Sequence, residues 1–139
     1  MTRAYARDPM GNGQDLPAEV QQALVPGLRA HPTTLVFLAF HDDQAVGIVT
    51  SFTGFSTFAA RPLINIHDLH VTKEHRGHGV GRSLLEAVEA EARRLGCCKL
   101  TLEVQENNQR ARRAYAAAGF GQAVYAETAG GVLFYGKPL

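Results

Sequence analysis

The run Arg76-Gly77-His78-Gly79-Val80-Gly81-Arg82 constrains this chain more than any other. It joins an apolar, alternating segment (residues 63–71) to a segment whose apolar residues recur at helical spacing (83–95). Glycines at 77, 79 and 81 allow positive φ and remove side chains that would block a close ligand. A glycine-rich turn entering a helix aims several unpaired N–H groups, with the positive end of the helix dipole, at one point. Such a point binds phosphate. The strand–turn–helix context therefore predicts a pyrophosphate-bearing ligand. Two familiar phosphate loops fail on the residues that carry their chemistry. A P-loop needs Lys then Ser or Thr after its last glycine, and Gly81 is followed by Arg82-Ser83; a dinucleotide fingerprint needs glycine where Arg82 stands.

At 139 residues the chain is long enough for one core and too short for two, so a single domain over 1–139 is expected. A net charge of +1 indicates neither disorder nor a polyanion-binding face, which argues against nucleic acid as partner. No apolar run has the length of a membrane span, and Arg3, Arg7 and Asp8 make the N-terminus unlike a signal peptide. Cys97 and Cys98 are adjacent, a poor geometry for a disulfide and no metal-ligand spacing, so a reducing cytoplasmic setting and no metal are expected.

Along the chain, residues 4–6 suggest a short edge strand, and a helix is expected from Asp15 to Ala30, with Pro17 in its first turn and His31-Pro32 as its stop. Residues 33–40 and 45–52 read as a β-hairpin turned by Asp42-Asp43-Gln44. Phe52, Phe55 and Phe58 either continue that strand or line a pocket, and Arg61-Pro62 breaks it. In residues 63–71, alternation puts Ile64, Ile66, Asp68 and His70 on one side and His67, Leu69 and Val71 on the other. That opposition argues against a metal pair of His67 with Asp68 or His70, because ligands must converge. A helix over 83–95 has Leu84, Leu85, Val88, Ala92 and Leu95 on one face and Gly96 as its cap. A strand at 97–104, a helix at 108–118 and a hairpin of 124–128 with 132–135 complete a mixed α/β order with helices on both faces.

Arg-x-x-Gly-x-Gly, read as Arg76, Gly79 and Gly81, resembles the acyl-CoA pyrophosphate loop of the GCN5-related N-acetyltransferase (GNAT) superfamily. A second pattern, Asn108-x-x-Ala111-x-x-x-Tyr115-x-x-x-Gly119-Phe120, is similar to one found after that loop in many members. The resemblance covers roughly residues 33–139. It implies a mixed, mostly antiparallel sheet of about six to seven strands flanked by helices. It also implies that the strands at 63–71 and 97–104 splay apart with acetyl-CoA, the co-substrate, in the wedge. The pantetheine arm would then bond like an added strand to the backbone at Leu69, His70 and Val71. The pyrophosphate would rest on Arg76 and on the amides of Gly77, His78, Gly79, Val80, Gly81 and Arg82. Asn108 would meet the pantetheine arm, and Tyr115 would lie near the sulfur.

Acetylating an amine poses two proton problems. The ammonium must lose a proton before it attacks, and the departing thiolate gains from receiving one. A tyrosine phenol, with an ordinary pKa of about 10, is a suitable donor at neutral pH, so Tyr115 is expected to serve the sulfur. Two bases stay open, each acting directly or through water. Glu103 resembles the position used by some protein N-terminal acetyltransferases of the superfamily; His67 resembles the histidine of arylalkylamine acetyltransferases. Direct attack needs no protein nucleophile, which leaves Cys97 and Cys98 without a covalent role. The expected activity is acetyl transfer from acetyl-CoA to a primary amine in a ternary complex, a small molecule first and a peptide amine second, with the acceptor near Phe52, Phe55 and His67. A protein N-terminal or lysine acetyltransferase is one alternative and an acyl-CoA-binding module without turnover another. A homodimer that completes the pocket is a further expectation.

Overall fold

The computed structural model describes residues 1–124, 128 and 132–138. Two compact units divide the chain, Met1–Leu102 and Glu103–Leu139.

The first unit opens with helix α1 (Thr2–Arg7). An edge strand was the expectation for residues 4–6. Helix prevails because alanine and arginine favour it and because the turn buries Ala6 while laying the Tyr5 ring 5.7 Å from that of His70. Helix α2 (Ala18–Ala30) begins after Pro17, which stands at the N-cap and not inside the first turn. Asp15, expected as the cap, bonds instead to the Leu16 N–H (2.8 Å) and to Arg3 (2.7 Å).

Strands β1 (Thr34–His41), β2 (Gln44–Ser56) and β3 (Arg61–Val71) form an antiparallel meander, and β4 (Leu100–Leu102) joins β3 in parallel, in the order β1-β2-β3-β4. Asp42 and Asp43, with φ of 45° and 63°, make the tight turn between β1 and β2 that matches strand twist. The long β2 absorbs Phe52 and Phe55. Arg61-Pro62 opens β3 and does not break a strand; Pro62 pairs with Phe55, and its carbonyl accepts the Cys98 N–H at 2.8 Å. Among the described residues the sheet has four strands. Regular pairing in the segment expected at 97–104 is confined to Leu100–Leu102.

Helix α3 (Val80–Arg94) packs on one face of this sheet through the buried Leu84, Leu85, Val88 and Ala92, against Val49, Ile64 and Ile66. The approach is close enough to require glycine at 47. A Cβ there would sit 2.9 Å from both Leu84 Cδ1 and Val80 Cγ1. Gly96, at φ 68°, ends the helix as expected. The opposite face carries the Tyr5 ring of α1.

Helix α4 (Gln109–Ala117) belongs to the second unit. Asn108 Oδ1 caps it by accepting the Ala111 N–H at 3.2 Å, and Gly119, at φ 87°, closes it. The hairpin expected beyond falls partly outside the described residues, at 125–127 and 129–131. Residues 132–135 are described and carry no strand pairing.

Candidate functional site

The register of β3 against its neighbours decides the geometry. Thr50 pairs with Asp68 while Ser51 pairs with Ile66, so His67 is the extra residue of a β-bulge. The bulge breaks the alternation expected for residues 63–71. Gly47 faces α3, so Val49 and Ser51, at two-residue steps along β2, face it too. Their partners Val71, Leu69 and Ile66 share that side. Thr50, Ile48 and Phe52 then place Asp68, His70 and Asn65 on the opposite side. His67 joins them, its ring 5.7 Å from Phe52 and nearly perpendicular to it. The expectation that His67 and Asp68 oppose each other is therefore corrected: an inserted residue reverses the parity that a periodic reading extrapolates.

The bulge also turns the backbone. The Ile64 N–H donates to the Lys99 carbonyl beside β4 (3.2 Å), whereas the Thr72 N–H donates to the Val46 carbonyl within β2 (2.9 Å). Counting back from Thr72, the peptide groups of Leu69 and Val71 point away from β2. Pairing with β4 stops at Ile66–Leu102, so among the described residues of this unit no strand covers that edge from His67 to Val71. The Val71 carbonyl is taken by Arg76 Nε at 2.9 Å. Among the described residues, the Leu69 peptide groups and the Val71 N–H have no strand partner.

The glycine loop begins where this edge ends. A 3-10 turn, Lys73–His75, is braced by a 2.9 Å hydrogen bond between Thr72 Oγ1 and His75 Nδ1. Gly77 and Gly79 follow at φ 82° and 84°, in the left-handed region that favours glycine. A Cβ at either would meet nothing within 4 Å. Gly79 caps α3, and the N–H groups of Gly77, His78 and Gly79 donate to no acceptor among the described residues. Those of Val80, Gly81 and Arg82 are first-turn amides with no intrahelical acceptor. Six amides thus lie at one helix N-terminus, a cradle that fits a pyrophosphate. His78 is exposed; the exposed Arg82 side chain pairs with Glu86 one turn on (2.7 Å). Arg76, expected at the phosphates, sends its guanidinium to the Val71 carbonyl and to the Asp8 carboxylate, at 21% and 12% side-chain exposure.

On the face opposite α3, Phe52 lies between His31 (ring centroids 5.3 Å apart) and His67. Phe55, three residues along β2, falls on the other face and is 65% exposed, and Phe58 is 97% exposed. The expected trio of phenylalanines is not one pocket. Asp68 is the residue that sequence reasoning passed over. It is half-buried, accepts no hydrogen bond among the described residues, and burial pushes its carboxyl above the ordinary value against the opposing influence of His67. Tyr5 lies close enough for the Asp68 charge to add to burial in raising its phenol. The bulge was the missing signal, because without it Asp68 reads as facing the core.

In the second unit, Glu103 is exposed, Asn108 spends its side-chain oxygen on the cap, and the half-buried Tyr115 ring meets Phe120 edge-on at 6.0 Å.

The sequence matches the model of the Acetyltransferase (GNAT) family over residues 1–120. N-alpha-acetyltransferase 40 of Saccharomyces cerevisiae is 37% identical over 103 residues, covering 62% of this chain and 36% of that protein. Thialysine N-epsilon-acetyltransferase of Bos taurus is 35% identical over 74 residues, 53% of this chain and 43% of its own length. The chain spans 36% to 58% of the length of such curated relatives. Among solved structures, a probable acetyltransferase superposes with a TM-score of 0.81 at 20% identity, covering 99% of this chain and 86% of that one. An aminoglycoside acetyltransferase from an uncultured soil metagenomic sample, solved with trehalose, gives 0.77 at 20% identity with the same coverage. Both show the shared fold.

Proposed function

Because this chain belongs to the GNAT acetyltransferase family, we propose that it moves the acetyl group of acetyl-CoA to a primary amine by direct attack in a ternary complex. The observation that carries this reading is the meeting, at one end of β3, of an uncovered strand edge with a six-amide helix N-terminus. The two ligand features they suit, an amide-bearing arm and a pyrophosphate, occur together in coenzyme A. In this reading the pantetheine pairs with Leu69 and Val71, and the pyrophosphate sits on the amides from Gly77 to Arg82. Arg76 holds the loop against β3 instead of reaching the phosphates. A backbone N–H on the free edge steadies the oxyanion that forms when the amine attacks. Tyr115 is proposed as the donor to the leaving thiolate, and Glu103 or His67, directly or through water, as a base. One domain over 1–139 is proposed to carry these parts.

A small-molecule amine is the first acceptor class, in keeping with the thialysine acetyltransferase relative. A peptide N-terminus is the second, favoured by the similarity to N-alpha-acetyltransferase 40. Calorimetry with acetyl-CoA on wild type and on a Gly79→Glu, Gly81→Glu double variant tests the cofactor reading. Binding by wild type and its loss in the folded variant is the expected result; no binding by folded wild type refutes it. Thiol release over a panel of an aminoglycoside, thialysine, n-butylamine and a short unblocked peptide then identifies the acceptor class.

A further inference from the structure

Two histidines that acetyl transfer leaves unused meet at the end of the sheet nearest the glycine loop. His41 closes β1 and pairs with Gln44 across the tight turn, and His75 closes the 3-10 turn that follows β3. The Thr72 N–H, bonded to the Val46 carbonyl at 2.9 Å, holds the start of that turn against the hairpin. The two rings lie with centroids 5.3 Å apart and planes inclined at 53°. Each ring also has an oxygen at its Nδ1. His75 Nδ1 shares a 2.9 Å hydrogen bond with Thr72 Oγ1, and His41 Nδ1 is 3.5 Å from Asp42 Oδ2. An ionised carboxylate only accepts, so neutral His41 favours its proton on Nδ1, and the Thr72 hydroxyl can accept from His75 in the same way. In that tautomer both Nε2 atoms present a lone pair. An oxygen at one ring nitrogen and a metal at the other is the usual arrangement of a ligating histidine.

We propose that His41 and His75 form a two-histidine site for a zinc-like divalent ion, bound through both Nε2 atoms with water completing its shell. The spacing fits. A metal about 2.1 Å from each Nε2 lies about 3.2 Å from each ring centre, and a tetrahedral angle at the metal then separates the centres by about 5.2 Å. The observed separation is 5.3 Å. Imidazole nitrogen suits zinc, copper and nickel, whereas magnesium and calcium take oxygen ligands. His41 is exposed and His75 half-buried, so an ion reaches them from solvent. Among the described residues no group of three or more His, Cys, Asp and Glu side chains gathers around a metal position. The site is therefore an open one with two protein ligands, and not a closed structural centre. Positions 41 and 75 are far apart in sequence, which is why no ligand spacing announced them. For the same reason a bound ion ties the β1–β2 turn to the turn leading into the glycine loop and favours the folded chain over the unfolded one. The inference does not rest on acetyl transfer.

Calorimetric titration of the full chain with ZnCl2 tests the site. Wild type is compared with His41→Ala, with His75→Ala and with a Cys97→Ser, Cys98→Ser double variant that removes the thiols as competing ligands. Wild type and the cysteine variant are expected to share a one-ion site of equal affinity. Either histidine variant should weaken that site by at least about 10-fold, the least that even the loss of an outer-shell partner brings. A wild type without such a site, a site kept at full affinity in a folded histidine variant, or one lost with the cysteines overturns the proposal. A second measurement needs no variant. The histidine side-chain 15N signals of wild type are recorded with and without ZnCl2. The Nε2 signals of residues 41 and 75 should move together while both Nδ1 atoms stay protonated, and an unmoved signal at either ring overturns the proposal.

Discussion

Arginine at position 76 shows how one residue can satisfy a motif for a reason the motif does not state. A guanidinium beside a phosphate-binding loop suggests a phosphate contact. Here its Nε is spent on the Val71 carbonyl and its terminal nitrogen on Asp8, tying the end of α1 and the end of β3 to the start of the loop. Burial works to raise the Asp8 carboxyl. The Met10 N–H and the Arg76 guanidinium, aided by nearby His70, outweigh it and hold the group below its ordinary value. A carboxyl lowered on folding contributes stability at pH above its unfolded value, and that contribution disappears as pH falls through the folded one. Asp8→Asn should therefore cost about 1–3 kcal/mol at pH 7, because it strips a charge-assisted bond and leaves Arg76 half-buried without its counterion. Urea unfolding at pH 7 and pH 3 checks this, and the gap between variant and wild type should narrow at the lower pH. A wild-type midpoint at pH 7 would reduce the pair to a surface contact.

At the scale of elements, the junction of β3, the glycine loop and α3 depends on how closely α3 approaches β2. Gly47 sets that distance, since any Cβ there meets Leu84 and Val80 at 2.9 Å. Gly47→Ala should lower stability by about 1–3 kcal/mol through overpacking and, by displacing the first turn of α3, weaken acetyl-CoA binding as well. Thermal unfolding and calorimetry together check both effects; a loss of stability with cofactor affinity intact would separate the helix position from the cradle. The glycine loop and its helix were legible in the sequence because positive φ and helix entry demand particular residue types at particular places. The bulge was not. Ile64, Ile66, Asp68 and His70 satisfy a two-residue period on paper, and only pairing with β2 reveals His67 as the inserted residue. Residues 4–6 misled in the same way, because a six-residue helix that buries a single alanine leaves almost no periodicity to read.

For the molecule as a whole, protons connect the fold to its proposed chemistry. Asp15 is held down to about 2, chiefly by its hydrogen bond to Arg3, and Asp8 is lowered too, so both favour the folded state more as pH rises above the carboxylate range. Asp68 acts in the opposite sense. Its raised carboxyl favours folding while protonated, and that contribution is lost as pH rises through its folded value. Above that value the chain carries an ionised, half-buried carboxylate at the expense of stability. Replacing it with a neutral isostere should relieve that cost. Asp68→Asn is expected to raise Tm at pH 7 by on the order of one to three degrees, with the gain shrinking toward zero near pH 4 as the wild-type group takes up its proton. Scanning calorimetry between those limits measures it. A variant that melts below wild type at pH 7 would mean that Asp68 holds the face together, and a gain that persists unchanged to pH 4 would mean that something other than its charge is being relieved.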